Sequence, residues 1–142
     1  MALAMQVTFD AADPATLAGF WKRVLGYIEE PPPEGWVSWE DWARGQGIPE
    51  EHWNDQSAIV DPDGAGARIF FQRVPEGKTA KNRVHLDVRA APGLDADARR
   101  AKLREEAERL AAEGGTKLYE LEERGQFWIT MQDPEGNEFC LD

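Results

Sequence analysis

The sequence predicts an α+β fold of two βαβββ modules whose strands form an open, curled mixed sheet. Three observations carry this expectation. The turn Asp61-Pro62-Asp63-Gly64 stands just ahead of a strand-like run, Arg68-Ile69-Phe70-Phe71-Gln72, and Asp133-Pro134-Glu135-Gly136-Asn137 stands ahead of Glu138-Phe139-Cys140-Leu141. In such turns Pro fixes φ, and Gly or Asn takes the left-handed conformation that closes the reversal. Each half also begins with an alternating strand followed by a helical pattern, and a polar, turn-rich segment, Pro75–Asn82, separates the halves. The expected organisation is one domain, 1–142, with module 1 at about 5–75, a linker at about 76–82 and module 2 at about 83–142.

Met5 to Asp10 alternates, with Gln6, Thr8 and Asp10 on one face and Val7 and Phe9 on the other, as a strand requires. Asp13-Pro14 then supplies an N-cap and a proline at the first helical position. Leu17, Phe20, Trp21, Val24 and Leu25 recur at helical spacing and Gly26 ends the run, so Asp13 to Leu25 reads as an amphipathic helix with Trp21 in its core stripe. Tyr27 to Glu30 reads as a short strand stopped by Pro31-Pro32-Pro33. Between Glu34 and Asn54 the pattern is mixed, with a helical piece expected around Pro49 to Trp53. Gln56–Val60 and Arg68–Val74 read as strands. In the second half, Arg83–Arg89 is a strand with His85 and Asp87 on one face, and Asp97–Ala112 is a helix in which Glu105 and Arg109 are spaced for an i,i+4 pair. Lys117–Glu122, Gln126–Gln132 and the last run, Glu138–Leu141, complete the set.

Composition narrows the function. With 142 residues, 42% hydrophobic and 30% charged, the chain fits one compact globular domain. No window approaches the roughly 18 apolar residues of a membrane span, and the N-terminus lacks a signal-peptide layout. A single cysteine excludes an internal disulfide and a Cys-rich zinc site. These features predict a cytoplasmic protein without membrane partners. The net charge of −11 lacks the basic stripe that nucleic acid needs, and it suits solubility or the attraction of cationic small molecules. The Lys78–Arg83 segment is a local basic patch that reads as a solvated linker. Six tryptophans are unusual, and Trp36, Trp39, Trp42 and Trp53 crowd into one stretch.

These residues carry a likeness. Asp10-Ala11-Ala12-Asp13-Pro14, Leu17-Ala18-Gly19-Phe20-Trp21, Leu25-Gly26-Tyr27, Phe71-Gln72-Arg73-Val74-Pro75-Glu76, Asn82-Arg83-Val84-His85-Leu86-Asp87-Val88 and the closing Asp133–Cys140 run resemble, in order and spacing, the vicinal oxygen chelate superfamily. That superfamily includes glyoxalase I, bleomycin-resistance proteins and extradiol dioxygenases, and the chain is most similar to a glyoxalase-like subgroup common in actinobacteria. The resemblance implies a trough that usually holds one divalent metal, with ligands from the first and last strands of each module. Carried onto this chain, those positions are Gln6, Gln72, His85 and Cys140, with Glu138 two residues before Cys140 on the same strand face.

That set is poor in the carboxylates a hard ion prefers, and two amides are weak partners for zinc. The expected cofactor is therefore none, or else one divalent metal (Zn, Ni, Mn or Fe) recruiting Glu138. The expected function is a glyoxalase-like protein that binds an aromatic or cationic compound, such as an antibiotic, in a largely metal-free trough. Trp36, Trp39, Trp42 and Trp128 are its candidate aromatic walls, beside Gln6, Gln72, His85, Glu138 and Cys140. The three central tryptophans fit equally a helix face packed on the sheet. Two enzymatic alternatives stand beside it: a metal-dependent lyase, isomerase or dioxygenase, and a metal-free proton-transfer enzyme using His85 with Asp87 or Asp10. His85 beside Asp87 is also what a hydrogen-bonded structural histidine looks like. Cys140 reads as a small buried residue and His52 as a solvated one. Some members of the superfamily pair modules between chains, so a homodimer is compatible with the resemblance, although one chain already contains both modules.

Overall fold

The computed structural model describes every residue, Met1–Asp142. The chain forms two compact units, Met1–Lys22 with Gly26–Gly77, and Arg23–Leu25 with Lys78–Asp142. Module 1 comprises β1 (Val7–Ala11), α1 (Pro14–Leu25), β2 (Ile28–Glu29), α2 (Trp39–Gly45), a 3-10 turn at Glu50–His52, β3 (Gln56–Val60) and β4 (Ile69–Arg73). Module 2 comprises β5 (Leu86–Val88), α3 (Ala96–Ala112), β6 (Thr116–Glu123), β7 (Gln126–Gln132) and β8 (Glu138–Leu141). Each builds a four-stranded mixed sheet, in the order β1-β4-β3-β2 and β5-β8-β7-β6. In both, the first strand runs parallel to the last and the remaining pairs are antiparallel. The α+β, two-module expectation matches this topology.

Local chemistry explains the elements. The Asp13 carboxylate caps α1, accepting from the Thr16 backbone N–H at 3.2 Å and the Thr16 hydroxyl at 2.7 Å. Gly26, at φ 69°, takes the left-handed conformation that lets its N–H reach the Lys22 carbonyl and end the helix. Between these ends, Leu17, Phe20 and Trp21 are buried. Trp21 packs on Phe9 with ring centroids 5.0 Å apart, and Phe9 stacks on Phe71 at 5.4 Å. Asp95 caps α3 at the Ala98 N–H, and Leu103, Ala107 and Leu110 form its buried stripe. Beside them in the module 2 core lie Ile129, Met131, Phe139 and Leu141.

Three details differ from the sequence expectations. β5 is only Leu86–Val88, and Arg83 and Val84 are bends. The Asn82 N–H and side-chain amide bond to the Glu138 carboxylate and carbonyl, so side chains rather than a ladder hold the approach to β5. Arg109 does not pair with Glu105; it bonds Glu106 at 2.7 Å and lies 3.5 Å from Glu113, while Glu105 faces Lys102. Glu106 is 18% exposed and Glu105 70%, so the less solvated carboxylate makes the stronger partner. The helix in the middle of module 1 is α2, whereas Pro49–Trp53 makes only a 3-10 turn. No helix is long and apolar enough to cross a membrane.

Candidate functional site

Module 2 encloses a pocket of about 700 Å³ on the face of its sheet that carries His85 and Asp87. His85, just before β5, and Asp87 within it face one side because their positions are two apart. Asp87 lies opposite Cys140 on β8, and Cys140 lies opposite Thr130 on β7. His85 Nδ1 is 2.9 Å from Asp87 Oδ1, and the Cys140 Sγ is 3.5 Å from the Thr130 hydroxyl. Burial, with the nearby Asp87 carboxylate, raises the Cys140 pKa despite the Thr130 bond, so the thiol keeps its proton at neutral pH. Trp128, Tyr119 and Leu121 supply apolar wall to the same pocket.

Glu138 also lines the pocket, but it faces Lys78 at 2.9 Å and accepts from the Asn82 N–H at 3.0 Å. Its burial would raise its pKa, yet these two partners hold it below the ordinary carboxylate value. The Lys78 side chain is 19% exposed, so this part of the basic segment is an anchored strap rather than a solvated linker.

The corresponding face of module 1 is built differently. The Gln6 side-chain oxygen accepts from Arg68 Nη1 at 2.7 Å, and the Arg68 guanidinium also forms a two-pronged pair with Glu30 at 2.9 and 2.7 Å. Gln72 donates to Asp10 at 2.8 Å, so the Asp10 carboxylate has its partner within its own module, as His85 has Asp87. Arg68 lies over the Phe70 ring, 5.3 Å from its centroid.

Strand register relates the two faces. In module 1 Thr8 is opposite Phe70 and Asp10 opposite Gln72; in module 2 Asp87 is opposite Cys140. With Gln6 matched to His85, Thr8 matches Asp87, and the counterpart of Cys140 is Phe70. The Phe70 ring has no donor atom, and Gln72 stands one same-face position beyond it in this register.

The sequence-predicted residues thus fall into three groups. His85, Asp87, Cys140, Glu138 and Trp128 come together at the module 2 pocket. Gln6, Asp10 and Gln72 lie together on β1 and β4 or just before them. Trp36, Trp39 and Trp42 belong to module 1 and are half-buried. The Trp39 indole N–H donates to the Glu30 carbonyl at 2.6 Å, the Trp39 and Trp42 rings meet edge-on at 5.5 Å, and Trp36 packs on Gly45, where a Cβ would come within 2.2 Å of its ring. Residues the sequence reading did not single out are Thr130, Tyr119, Leu121 and Arg68. Alternation along β7 from Trp128 identifies Thr130, since both fall on one face; Arg68 had no local signal.

A glyoxalase-like domain profile matches residues 6–141. The chain belongs to the glyoxalase-like domain family, and with it to the vicinal oxygen chelate superfamily. Solved structures agree on the fold of this glyoxalase-like protein. A possible glyoxalase from Bacillus cereus superposes with a TM-score of 0.61 at 13% identity, covering 99% of this chain and 98% of that one. A mutant of the fosfomycin resistance protein FosX from Listeria monocytogenes, complexed with Mn(II) and a dihydroxypropylphosphonic acid, gives 0.61 at 14%, covering 99% and 90%. TioX from Micromonospora gives 0.52 at 15%, covering 99% and 97%. At such identities the likeness speaks for the fold alone. No curated protein sequence matches the chain.

A glyoxalase-like fold implies a divalent metal, and the donor set here tests it. Of the module 1 candidates, Gln6 offers an amide oxygen already bonded to Arg68, Gln72 an amide already bonded to Asp10, and Phe70 no donor. His85, Asp87 and Cys140 do bring three donor atoms within 4.8 Å of one another, a His, carboxylate and thiol set that suits zinc better than a hard ion. The four positions do not fit a hard divalent ion.

Proposed function

We propose that this glyoxalase-like protein binds a small molecule in a largely metal-free, aromatic-walled pocket, sequestering an aromatic or cationic compound such as an antibiotic. The observation that supports the proposal is the chemistry of the candidate positions: Gln6 and Gln72 are bonded within module 1, Phe70 offers no donor, and only His85 and Cys140 remain. The volume of about 700 Å³ and the Trp128, Tyr119 and Leu121 wall support an organic ligand, since such sites combine apolar walls with few polar groups.

The test has two arms. Metal analysis of purified protein and calorimetric titration with Zn, Ni and Mn are expected to give no stoichiometric tight binding; tight binding abolished by His85→Ala would overturn the metal-free reading. A thermal-shift screen of aromatic and cationic compounds is expected to give hits that Trp128→Ala weakens, and no stabilisation by any compound counts against sequestration.

One observation favours a second reading. The 2.9 Å contact between His85 and Asp87 is the geometry of an oriented general base, which suits proton abstraction next to a carbonyl. Deuterium exchange at the α-carbon of an added ketone, lost in His85→Ala, would support it; exchange equal to buffer excludes it for that substrate.

A further inference from the structure

We infer that the ligand of the module 2 pocket presents a hydrogen-bond donor, such as an aromatic hydroxyl, to Nε2 of His85, on a framework of at least two rings. The inference rests on the binding reading above and narrows its ligand class.

It starts from the tautomer. His85 Nδ1 lies 2.9 Å from Asp87 Oδ1, and an ionised carboxylate only accepts, so Nδ1 carries the hydrogen. A neutral imidazole has one such hydrogen, which leaves Nε2 as a bare acceptor. On its far side Asp87 has the Cys140 thiol, whose sulfur lies within 4.8 Å of the carboxylate. The carboxylate in turn fixes the imidazole. Nε2 has no partner in the protein, and the His85 side chain, 46% exposed, lines the pocket.

The pocket's charges point away from a cation. Its three carboxylates all have partners: Asp87 has His85, Glu138 has Lys78, and Asp142 has Arg99 at 3.1 Å. A cationic ligand meets no unpaired carboxylate, whereas a donor hydrogen meets an unpaired acceptor. Size follows from the sheet. His85 precedes β5 and Trp128 lies on β7, with β8 between them. Register pairs Ile129 and Val88 both with Leu141, so Trp128 stands level with Arg89, four residues along from His85, and the two backbone positions lie roughly 16 Å apart, a span that one ring does not bridge.

The probes are para-phenylphenol and its methyl ether, which share rings and differ in the donor hydrogen. Calorimetry at about pH 8, where an ordinary imidazole is neutral, is expected to show the phenol binding about tenfold more tightly. Asp87→Asn can donate as well as accept, so it no longer fixes the tautomer, and the preference is expected to fall below about threefold. His85→Phe is expected to abolish the preference, and Trp128→Ala to weaken both probes while keeping it. Thermal melts of each variant verify folding, and Asp87 and His85 lie on the exposed face, where substitution is tolerated. Equal affinities in the wild type, or a preference that survives His85→Phe, overturn the donor inference and leave the binding reading standing. Failure of both probes to bind counts against both.

Discussion

On β1 and β4 of module 1, the rungs that face away from Phe9 and Phe71 hold Thr8 and Asp10 beside Phe70 and Gln72, with Gln6 and Arg68 just before the strands. On β5 and β8 of module 2, the same rungs hold His85, Asp87 and Arg89 beside Glu138, Cys140 and Asp142. Arg68 thus stands where module 2 has Glu138, and each is neutralised by a partner from elsewhere in its own module, Glu30 for one and Lys78 for the other. The ladder, the caps and the helix stripe are common to both modules because packing and turn chemistry demand them. The outward face is under no such demand, so module 1 could become a closed set of hydrogen bonds while module 2 kept an acceptor without a partner.

The cores differ too, and the largest expected effect tests that difference. Module 1 is held by Phe9, Phe20, Trp21 and Phe71, whereas module 2 relies more on Leu103, Leu110, Ile129, Met131 and Leu141. Trp21→Ala is expected to cost about 4 kcal/mol and Leu103→Ala about 3 kcal/mol, because the larger ring leaves the larger cavity. Denaturant unfolding measures both. A smaller loss for Trp21→Ala would mean that module 1 collapses around the gap and that its aromatic core is less rigid than these contacts imply.

The two ion pairs give the next effect. Glu138 is 12% exposed and Lys78 19%, against 27% and 36% for Glu30 and Arg68. Lys78→Met leaves a poorly solvated carboxylate with the Asn82 N–H and is expected to cost about 2 kcal/mol; Arg68→Met, in wetter surroundings, is expected to cost about 1 kcal/mol. The sign with pH follows from the folded Glu138 pKa, which lies below its ordinary value of 4.5. The stabilisation is complete above the unfolded carboxylate pKa and is lost as pH falls through the folded one. The Lys78→Met penalty is therefore expected in full at neutral pH and to shrink in acid, as urea titrations at both conditions would show. A penalty independent of pH would assign Lys78 a packing role instead.

How much of this was legible in the sequence depends on the range of the cause. β3, β7 and β8 fall on the predicted residues, as does the α1 cap, because alternation and capping are local signals. β5 begins late because of Asn82 bonding to Glu138, a contact 56 residues away in sequence. Phe70 was hidden by loop length. After the first turn the chain runs through Ala65-Gly66-Ala67, pinned by N–H groups of Ala65 and Gly66 on the Asp61 carboxylate, before β4 begins. After the second, Asn137 alone separates Gly136 from β8. Counting residues from similar turns does not return the same rung, and only the paired strands reveal which side chains are equivalent. His85 and Cys140 were legible as candidates; that Asp87 lies between them was not, because it depends on β5 and β8 being neighbours.

The smallest expected effect compares the caps. Asp13 and Asp95 both accept from the backbone N–H three residues on, at 3.2 and 2.9 Å. Asp13 alone is also tied by side chains: the Asn54 amide donates to it at 2.8 Å, the Thr16 hydroxyl at 2.7 Å, and Asn54 returns to the Ala15 N–H at 2.9 Å. The Asn54 and Thr16 bonds hold the Asp13 pKa below the ordinary value, outweighing its slight desolvation. Asp13→Ala removes a cap and unties a segment 41 residues away, and is expected to cost about 1.5 kcal/mol; Asp95→Ala removes a cap alone and is expected to cost about 0.7 kcal/mol. In an Asn54→Ala background the Asp13→Ala penalty should fall toward the Asp95 value, with the Thr16 hydroxyl bond as the remaining difference, a coupling that a double-mutant cycle reads directly. If the two penalties already agree in the wild-type background, the Asn54 link contributes nothing to stability, and the two helix starts are energetically the same device.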